Sequence, residues 1–590
     1  MARSLLPLLT LLAVLVAGCS PSDGDDPEDT AIGQEASVPT SPTRQTAFRV
    51  RTGFTADLNA DAGWAAGINE PATVPVEQPF RLRFEVETSA GAPPVERFRL
   101  QYRHNEGDWK PVRTADFPYP SEETPSVSIV STEGYDAGAK TTDLLTGSEA
   151  SYRGGAGVQL SDVSPVLDVS DGQSEWEWPL VVRRYADEAQ TTKSGDTVAF
   201  RMVSDDGGAV SAQSHATVTV SVPPRFLGGT FVETPGRVGP WEASNGDLYF
   251  LMEPAETYNV LMTVKSSDGG RTWAEADGAN RPATGDLEGF ASAQHDDTLH
   301  MLHQIDEGVF YHAFRTSDHP TAPNTWSVRD DTVATPGEPP VQVASLAARP
   351  DGGLVAVYGG PDGLRMLIRA PDGDWGTETV FDADSPHPSS GPQTVLGDGN
   401  TVHVAYTDRG GHVWYRQVRP DGSLTPRVQV TSEVGTDEAD IGSVLPLVFL
   451  PETNTVVVLY RRADGTLWER SVLEDGTLSE ASQVTDRKVV QNAVDSDQAG
   501  ADAIAAGGSV HVLFIAADTG HIYHTQRDAA GSWSNPERLV DGVNAQWIRG
   551  RPLRRDAEAP SVYGFVYDAG SNGGSGMNWY AEHPLTRTAP

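Results

Sequence analysis

Apolar and polar positions alternate along 80-FRLRFEVE-87, where Phe80, Leu82, Phe84 and Val86 share one face and charged residues the other. The same alternation runs along 97-RFRLQYR-103 through Phe98, Leu100 and Tyr102. A period of two over such lengths predicts antiparallel strands buried on one side. Further strands are expected at 175-EWEWPLVV-182, 197-TVAFRMV-203 and 216-ATVTVSV-222, with long Gly-, Ser- and Asp-rich loops between them. Together they predict a β-sandwich over residues 46–222, of immunoglobulin-like or jelly-roll type. The segment 223-PPR-225 marks its boundary.

Beyond that boundary the pattern becomes periodic. The apolar runs 248-LYFLM-252, 299-LHMLH-303, 354-LVAVY-358, 402-VHVAY-406, 456-VVVLY-460, 510-VHVLF-514 and 562-VYGFVY-567 recur along the chain at intervals of roughly 50 residues, a spacing typical of propeller blades. Most follow a tight turn such as SNGD, PDGG or GDGN, and most precede an aromatic strand, as in 309-VFYHAF-314, 413-VWYRQV-418, 467-LWERSV-472, 522-IYHTQR-527 and 577-MNWYAE-582. Four short antiparallel strands per repeat, arranged about an axis, predict a β-propeller over 223–590. The chain is thus expected to be all-β, an N-terminal β-sandwich followed by a seven-bladed β-propeller, with a six-bladed ring as the alternative. Too little chain remains after 577-MNWYAE-582 for another strand, so 228-GGTFVETP-235 is expected to complete the last blade and remove a free sheet edge.

The turn 266-SSDGGRTW-273 joins two such strands. An Asp side chain can hold nearby backbone N–H groups, and Gly tolerates the positive φ that a tight turn needs. Shorter versions follow later third strands at 371-PDGDW-375, 420-PDGSL-424, 474-EDGTL-478 and 528-DAAGSW-533. The spacing of Ser266, Asp268, Gly270, Thr272 and Trp273 resembles the Asp-box (BNR) repeat of sialidase-like propellers, complete in one copy, with the repeat layout covering about 225–585. The resemblance implies that the box lies at the outer rim of its blade, Asp268 holding the turn and Trp273 packing inward. It identifies a fold and not a reaction.

Composition narrows the class of partner. The 590 residues include 82 acidic against 43 basic side chains, a net charge of −39, which disfavours nucleic acid and anionic membrane. At the N-terminus Arg3 precedes an apolar run from Leu5 to Val16 that is too short to span a bilayer and reads as an export signal. The run ends in 16-VAGC-19, which resembles the lipobox of bacterial lipoproteins. Cys19 is the only cysteine, so it forms no internal disulfide and is the expected lipidation site. Residues 1–19 are therefore expected to be the signal, and 20–45, rich in Asp, Glu, Pro, Ser and Thr, a disordered tether. An exported monomer, lipid-anchored at the bacterial cell envelope and at the outer membrane if there are two, is the expectation.

Candidate chemistry lies in the loops at one mouth of the channel. The segment 237-RVGP-240 stands where sialidases carry an arginine that clamps the substrate carboxylate, with one inserted Gly, so Arg237 is a candidate anion ligand through its bidentate fork. Arg409, Arg461 with Arg462, and Arg549 with Arg551 reach the same rim by position. Glu288, Asp437, Glu438 and Asp440 offer carboxylates there for acid–base work. In 495-DSDQAGAD-502, Asp495, Asp497 and Asp502 supply oxygens that suit calcium only weakly, since the spacing is not that of a calcium loop; no other cofactor is expected. The family's remaining catalytic residues have no matching motif. Some propellers of this kind are polysaccharide lyases, for which His295, His303, His312, Tyr311 and Tyr406 are the residues to inspect, although His300, His403 and His511 recur at matching blade positions. The expected function is recognition of acidic extracellular glycans, with sialidase-type hydrolysis or uronic-acid elimination as enzymatic alternatives and a non-catalytic scaffold for glycan or envelope protein as the third.

Overall fold

The computed structural model describes residues 43–585 except 90–96, 115–124, 148–150, 187–190, 205–206, 230–235, 254–259, 277–280, 283–288, 319–325, 338–342, 384–390, 435–445, 491–499, 542, 546, 556 and 570–576. The signal segment, Cys19 and most of the expected tether thus lie outside the described residues. The tether ends earlier than expected. Thr43–Arg51 is a strand, and Thr43 Oγ1 lies 3.1 Å from Thr88 Oγ1 while Arg44 pairs with Glu87 at 2.7 Å.

Two sheets form the first region. One has six strands in the order Ser211–Ala212, Thr43–Arg51, Phe80–Thr88, Gly172–Val182, Val127–Ile129, Arg113–Thr114; the other has five, Ala72–Pro75, Ala216–Ser221, Thr197–Ser204, Phe98–His104, Lys110–Pro111. Their facing sides share one apolar core. Within it Phe84 meets Trp178 edge-on at 5.7 Å, Phe98 meets Trp176 at 5.1 Å and Phe80 meets Phe200 at 6.2 Å.

The reading of Phe80–Thr88 as half-buried needs correction, because the charged face of this strand is buried too. Arg81 and Arg83 are 0% exposed, as are Glu175 and Glu177 on the neighbouring strand. Segments on either side of the sheet's polar face cover them. Arg83 Nε bonds Glu175, its Nη1 reaches Glu177 Oε2 at 3.1 Å and the Leu58 carbonyl at 2.8 Å, and its Nη2 reaches the Thr142 carbonyl at 2.6 Å. Arg81 Nη1 lies 3.3 Å from Glu177 Oε1, with Arg51 further out at 3.8 Å. Alternation alone did not distinguish a face open to water from one covered by loops that carry the countercharges.

Among the described residues, seven four-stranded sheets follow. Sheet one holds Trp241–Glu242, Leu248–Met252, Met262–Ser266 and Ala274–Glu275; sheet two Gly289–His295, Thr298–Ile305, Gly308–Arg315 and Val328–Ala334. Sheet three holds Ala344–Ala348, Leu354–Gly360, Gly363–Arg369 and Thr379–Asp382; sheet four Gln393–Leu396, Val402–Thr407, Val413–Val418 and Val428–Thr431. Sheet five holds Leu447–Leu450, Thr455–Arg461, Thr466–Val472 and Ser482–Lys488; sheet six Ala501–Ala506, Ser509–Ile515, Ile522–Arg527 and Glu537–Val540. Each second strand is one of the apolar runs that recur along the sequence, and Leu354–Gly360 and Ser509–Ile515 are buried throughout because sheets cover both of their faces.

Sheet seven is built from both ends of the region. Ile548–Leu553, Val562–Ala569 and Met577–Pro584 pair in order, and Phe226–Gly228 adds outside them with Phe226 opposite Trp579. The closing strand starts two residues earlier than expected, and 230–235 lie outside the described residues. First strands pack side by side from sheet two through sheet seven, and that of sheet seven meets that of sheet one. Trp241 Nε1 donates to Ser292 Oγ at 2.8 Å between sheets one and two. This is a β-propeller.

The two regions touch at sheet one and at the closing strand of sheet seven. Arg184 donates to the carbonyl of Trp273, the Tyr185 hydroxyl to that of Leu227, and the Glu275 N–H to Thr191 Oγ1 at 2.9 Å.

Candidate functional site

The turn at 266–273 is a closed set of local bonds. Asp268 Oδ1 accepts from the Thr272 N–H at 2.8 Å and from Ser266 Oγ at 2.9 Å, while Oδ2 accepts from Thr272 Oγ1 at 2.6 Å. Ser266 Oγ in turn accepts from the Gly270 N–H at 2.8 Å. Although partial burial opposes it, these donors hold the Asp268 carboxyl below the usual range. Gly270 has φ +83°, and a Cβ there would stand 2.1 Å from the Tyr580 ring of sheet seven. Trp273 is 2% exposed and donates through Nε1 to the Gly270 carbonyl at 3.0 Å. Related turns keep the Asp contact, as in Ser423 N–H to Asp421 at 2.9 Å and Thr477 N–H to Asp475 at 2.9 Å. All of this chemistry is internal to the turn. Asp268→Ala is therefore expected to lower stability by on the order of 2 kcal/mol, read from urea unfolding, with ligand binding at the channel unchanged.

A different group gathers at the channel, where the innermost strands begin. Arg237, just before sheet one, reaches across to sheets five and six: its Nη1 lies 3.4 Å from Asp502 Oδ1, and its Nη2 lies 3.5 Å from the carbonyls of Leu447 and Ala503. These bonds are at the long limit for N–H···O. Asp502, at the start of sheet six, also accepts from the Gly550 N–H at 2.6 Å and from its neighbour Ala503 at 2.9 Å. Its oxygens are taken up by the arginine and these amides, which removes Asp502 from the calcium reading; Asp495 and Asp497 lie outside the described residues.

Arg551, on the first strand of sheet seven, rests with its guanidinium carbon 4.4 Å over the Trp241 ring of sheet one. Among the described residues it has no hydrogen-bond partner. Burial, and secondarily the charge of Arg237, pull its pKa down to about 9, so it remains a cation at neutral pH. Tyr563, fully buried beneath, has its phenol pushed well up by burial and then by the Asp502 charge. Among the described residues the site thus holds two guanidinium groups, those of Arg237 and Arg551, and one carboxylate, that of Asp502.

The other sequence candidates fare differently. Arg549 is 2% exposed, and its Nε bonds the Gly236 carbonyl at 3.3 Å, so it braces the loop bearing Arg237 and does not face the channel opening as expected. Arg461 is turned to the Val489 carbonyl at 3.1 Å, and Arg462 covers Trp468 at 3.4 Å while pairing with Glu433. Arg409 is exposed in the turn between the second and third strands of sheet four. Glu288, Asp437, Glu438 and Asp440 lie outside the described residues.

Of the residues inspected for lyase chemistry, His303 and His312 are buried against each other at 2.9 Å, Tyr311 bonds His300 at 2.7 Å, and Tyr406 bonds Asp382. These are contacts inside sheets two to four. His295 bonds the Pro350 carbonyl at 3.1 Å. Sequence reasoning missed Trp241, as well as Tyr563 and the pairing of Asp502 with Arg237. The signal was slight, since Arg237 and Asp502 are 265 residues apart in the chain.

No protein-family model matches the chain, and no curated protein matches it. Among solved structures, the BP39L lectin from Burkholderia pseudomallei is similar at 10% identity and a TM-score of 0.44, over 60% of this chain and 95% of that one. The fungal lectin of Aleuria aurantia, described as a six-bladed β-propeller, is similar at 12% identity and a TM-score of 0.34, over 55% and 100%. A mutant of the NanB sialidase from Streptococcus pneumoniae is similar at 11% identity and a TM-score of 0.36, over 83% of this chain and 95% of that one.

Proposed function

We propose that this chain is a lipid-anchored cell-envelope protein, a β-sandwich carrying a seven-bladed propeller, that captures an acidic extracellular glycan at the channel. The observation that carries the reading is Arg551, a guanidinium stacked on Trp241 without a hydrogen-bond partner among the described residues, beside Arg237 with only long ones. Among the described residues, two cations stand beside one carboxylate in a protein of net charge −39, and a carboxylate or sulfate on a sugar would meet both forks. Trp241, itself buried, is the platform on which the Arg551 guanidinium rests. The arrangement favours binding over cleavage. The tyrosine beside the arginines is Tyr563, and it is fully buried with its phenol held protonated, which withholds it from nucleophilic work.

The test is a panel of sialylated, uronic-acid, sulfated and neutral glycans offered to the full chain, with binding and product release followed together. Binding of an acidic glycan that weakens with salt, and falls ten- to hundredfold in Arg551→Ala and Arg237→Ala, is expected from the loss of one charged hydrogen-bonding group of about 1.5–3 kcal/mol. Equal binding by the two variants would place recognition elsewhere. Release of free sugar, or of an unsaturated ultraviolet-absorbing product, would show turnover and overturn the non-catalytic reading.

A further inference from the structure

Away from the channel, three side chains with metal-binding atoms converge in the seam between sheets six and seven. His524 lies on the third strand of sheet six, Glu537 is opposite it on the fourth, and His583 is near the end of the last strand of sheet seven. One ligating atom from each lies within 4.8 Å of the other two, and the His524 and His583 ring centroids are 4.0 Å apart. His524 is buried, Glu537 is exposed and His583 is half-buried, so the group is anchored on one side and open to water on the other.

Two further observations distinguish this group from an ordinary polar seam. Among the described residues, the Glu537 carboxylate and the His583 ring have no hydrogen-bond partner. Behind them His524 Nε2 stands 3.1 Å from His511 Nδ1, so one of the two rings donates to the other. With His524 as the donor, its Nδ1 keeps a lone pair. A ring held by a donated N–H, with its second nitrogen free, is the usual state of a metal-ligating histidine. The other convergent group, Glu85, Asp143 and Glu175, lacks this character. Glu85 accepts from Thr46 and Thr146, and Glu175 from the Leu144 and Leu145 N–H groups and Arg83, so their charges are already answered.

We propose that His524, Glu537 and His583 bind a divalent transition ion of the zinc class, pinning sheet six to sheet seven. Two neutral imidazoles and one carboxylate are a zinc donor set, and the open side leaves a fourth position for water. Zinc bonds of about 2.0–2.2 Å draw the three donors closer together, a movement that the exposed Glu537 can supply by a change of rotamer. Since the last strand of sheet seven also carries the closing strand Phe226–Gly228, the ion would fasten the ring beside its join.

The experiment uses the full chain, stripped by a chelator and titrated with zinc and with cobalt(II). Expected are one equivalent bound at this site, a visible cobalt spectrum of nitrogen and oxygen ligation, and a higher melting temperature with metal. Glu537 is exposed and His583 half-buried, so Glu537→Ala and His583→Ala should keep cooperative melting. Each should weaken metal binding at least tenfold and abolish the thermal shift. Absence of binding by the parent chain, or unchanged affinity and cobalt spectrum in both folded variants, would overturn the proposal.

Discussion

An Arg83→Met variant is expected to lose about 3–5 kcal/mol of stability, because breaking a buried ion pair from one side strands the remaining charge. Arg83 bonds both Glu175 and Glu177, and it also ties down the Leu58 and Thr142 carbonyls that cover the polar face of the sheet. With it gone, Glu177 keeps Arg81 at 3.3 Å, while among the described residues the Glu175 carboxylate keeps the two N–H groups of Leu144 and Leu145 and no cation. Chemical denaturation of the parent and of Arg83→Met measures the loss. A second variant, Arg83→Met with Glu175→Gln, should recover part of it, since the orphaned charge is removed. A loss under 1 kcal/mol, or no recovery in the double variant, would mean that water enters the face and screens the carboxylates.

The second large effect follows from histidines buried in the sheets. Burial lowers the pKa of His300 and His403 to about 4 and of His303 to about 3. In the unfolded chain these rings titrate near the ordinary value of about 6.5. Between the two values the unfolded state binds more protons than the folded one, so stability rises with pH there. Their contribution is complete above about pH 6.5 and is lost as the pH falls toward 4 and then 3. At 1.36 kcal/mol per unit, each ring is worth on the order of 3 kcal/mol across the window, so cooperative unfolding is expected in mild acid. Unfolding free energies measured from pH 7.5 down to 4.5 test this. His403→Leu, which removes the 2.6 Å contact to Tyr415, should reduce the slope by close to one proton. A profile flat through this range would show that the rings protonate in place.

What could be read from the chain alone was what depends on near neighbours. Second strands such as Leu354–Gly360 were plain because sheets on both sides leave no position for a polar residue, and the turn at Asp268 was plain because its bonds reach only to Ser266 and Thr272. Gly363–Arg369 was less visible: it forms the third strand of sheet three without an aromatic residue to mark it. Burial of Arg81 and Arg83 was hidden for another reason, since the segments that cover them fold back from residues 53–58 and from 142. At the channel, Arg237 and Arg551 were found by type and place, but their setting was not. Trp241, Asp502 and Tyr563 meet them only when the ring closes, and no local spacing encodes that meeting.

The closing strand has a mechanical consequence. Phe226–Gly228 follows directly from the first region, so tension applied to the chain at Thr43 would travel through that region and arrive at the ring at its join. The bond from Tyr185 to Leu227 grips the closing strand itself, while that from Arg184 to Trp273 reaches sheet one and offers a second load path beside the covalent linker. Such a load would be divided between sheet one and the join.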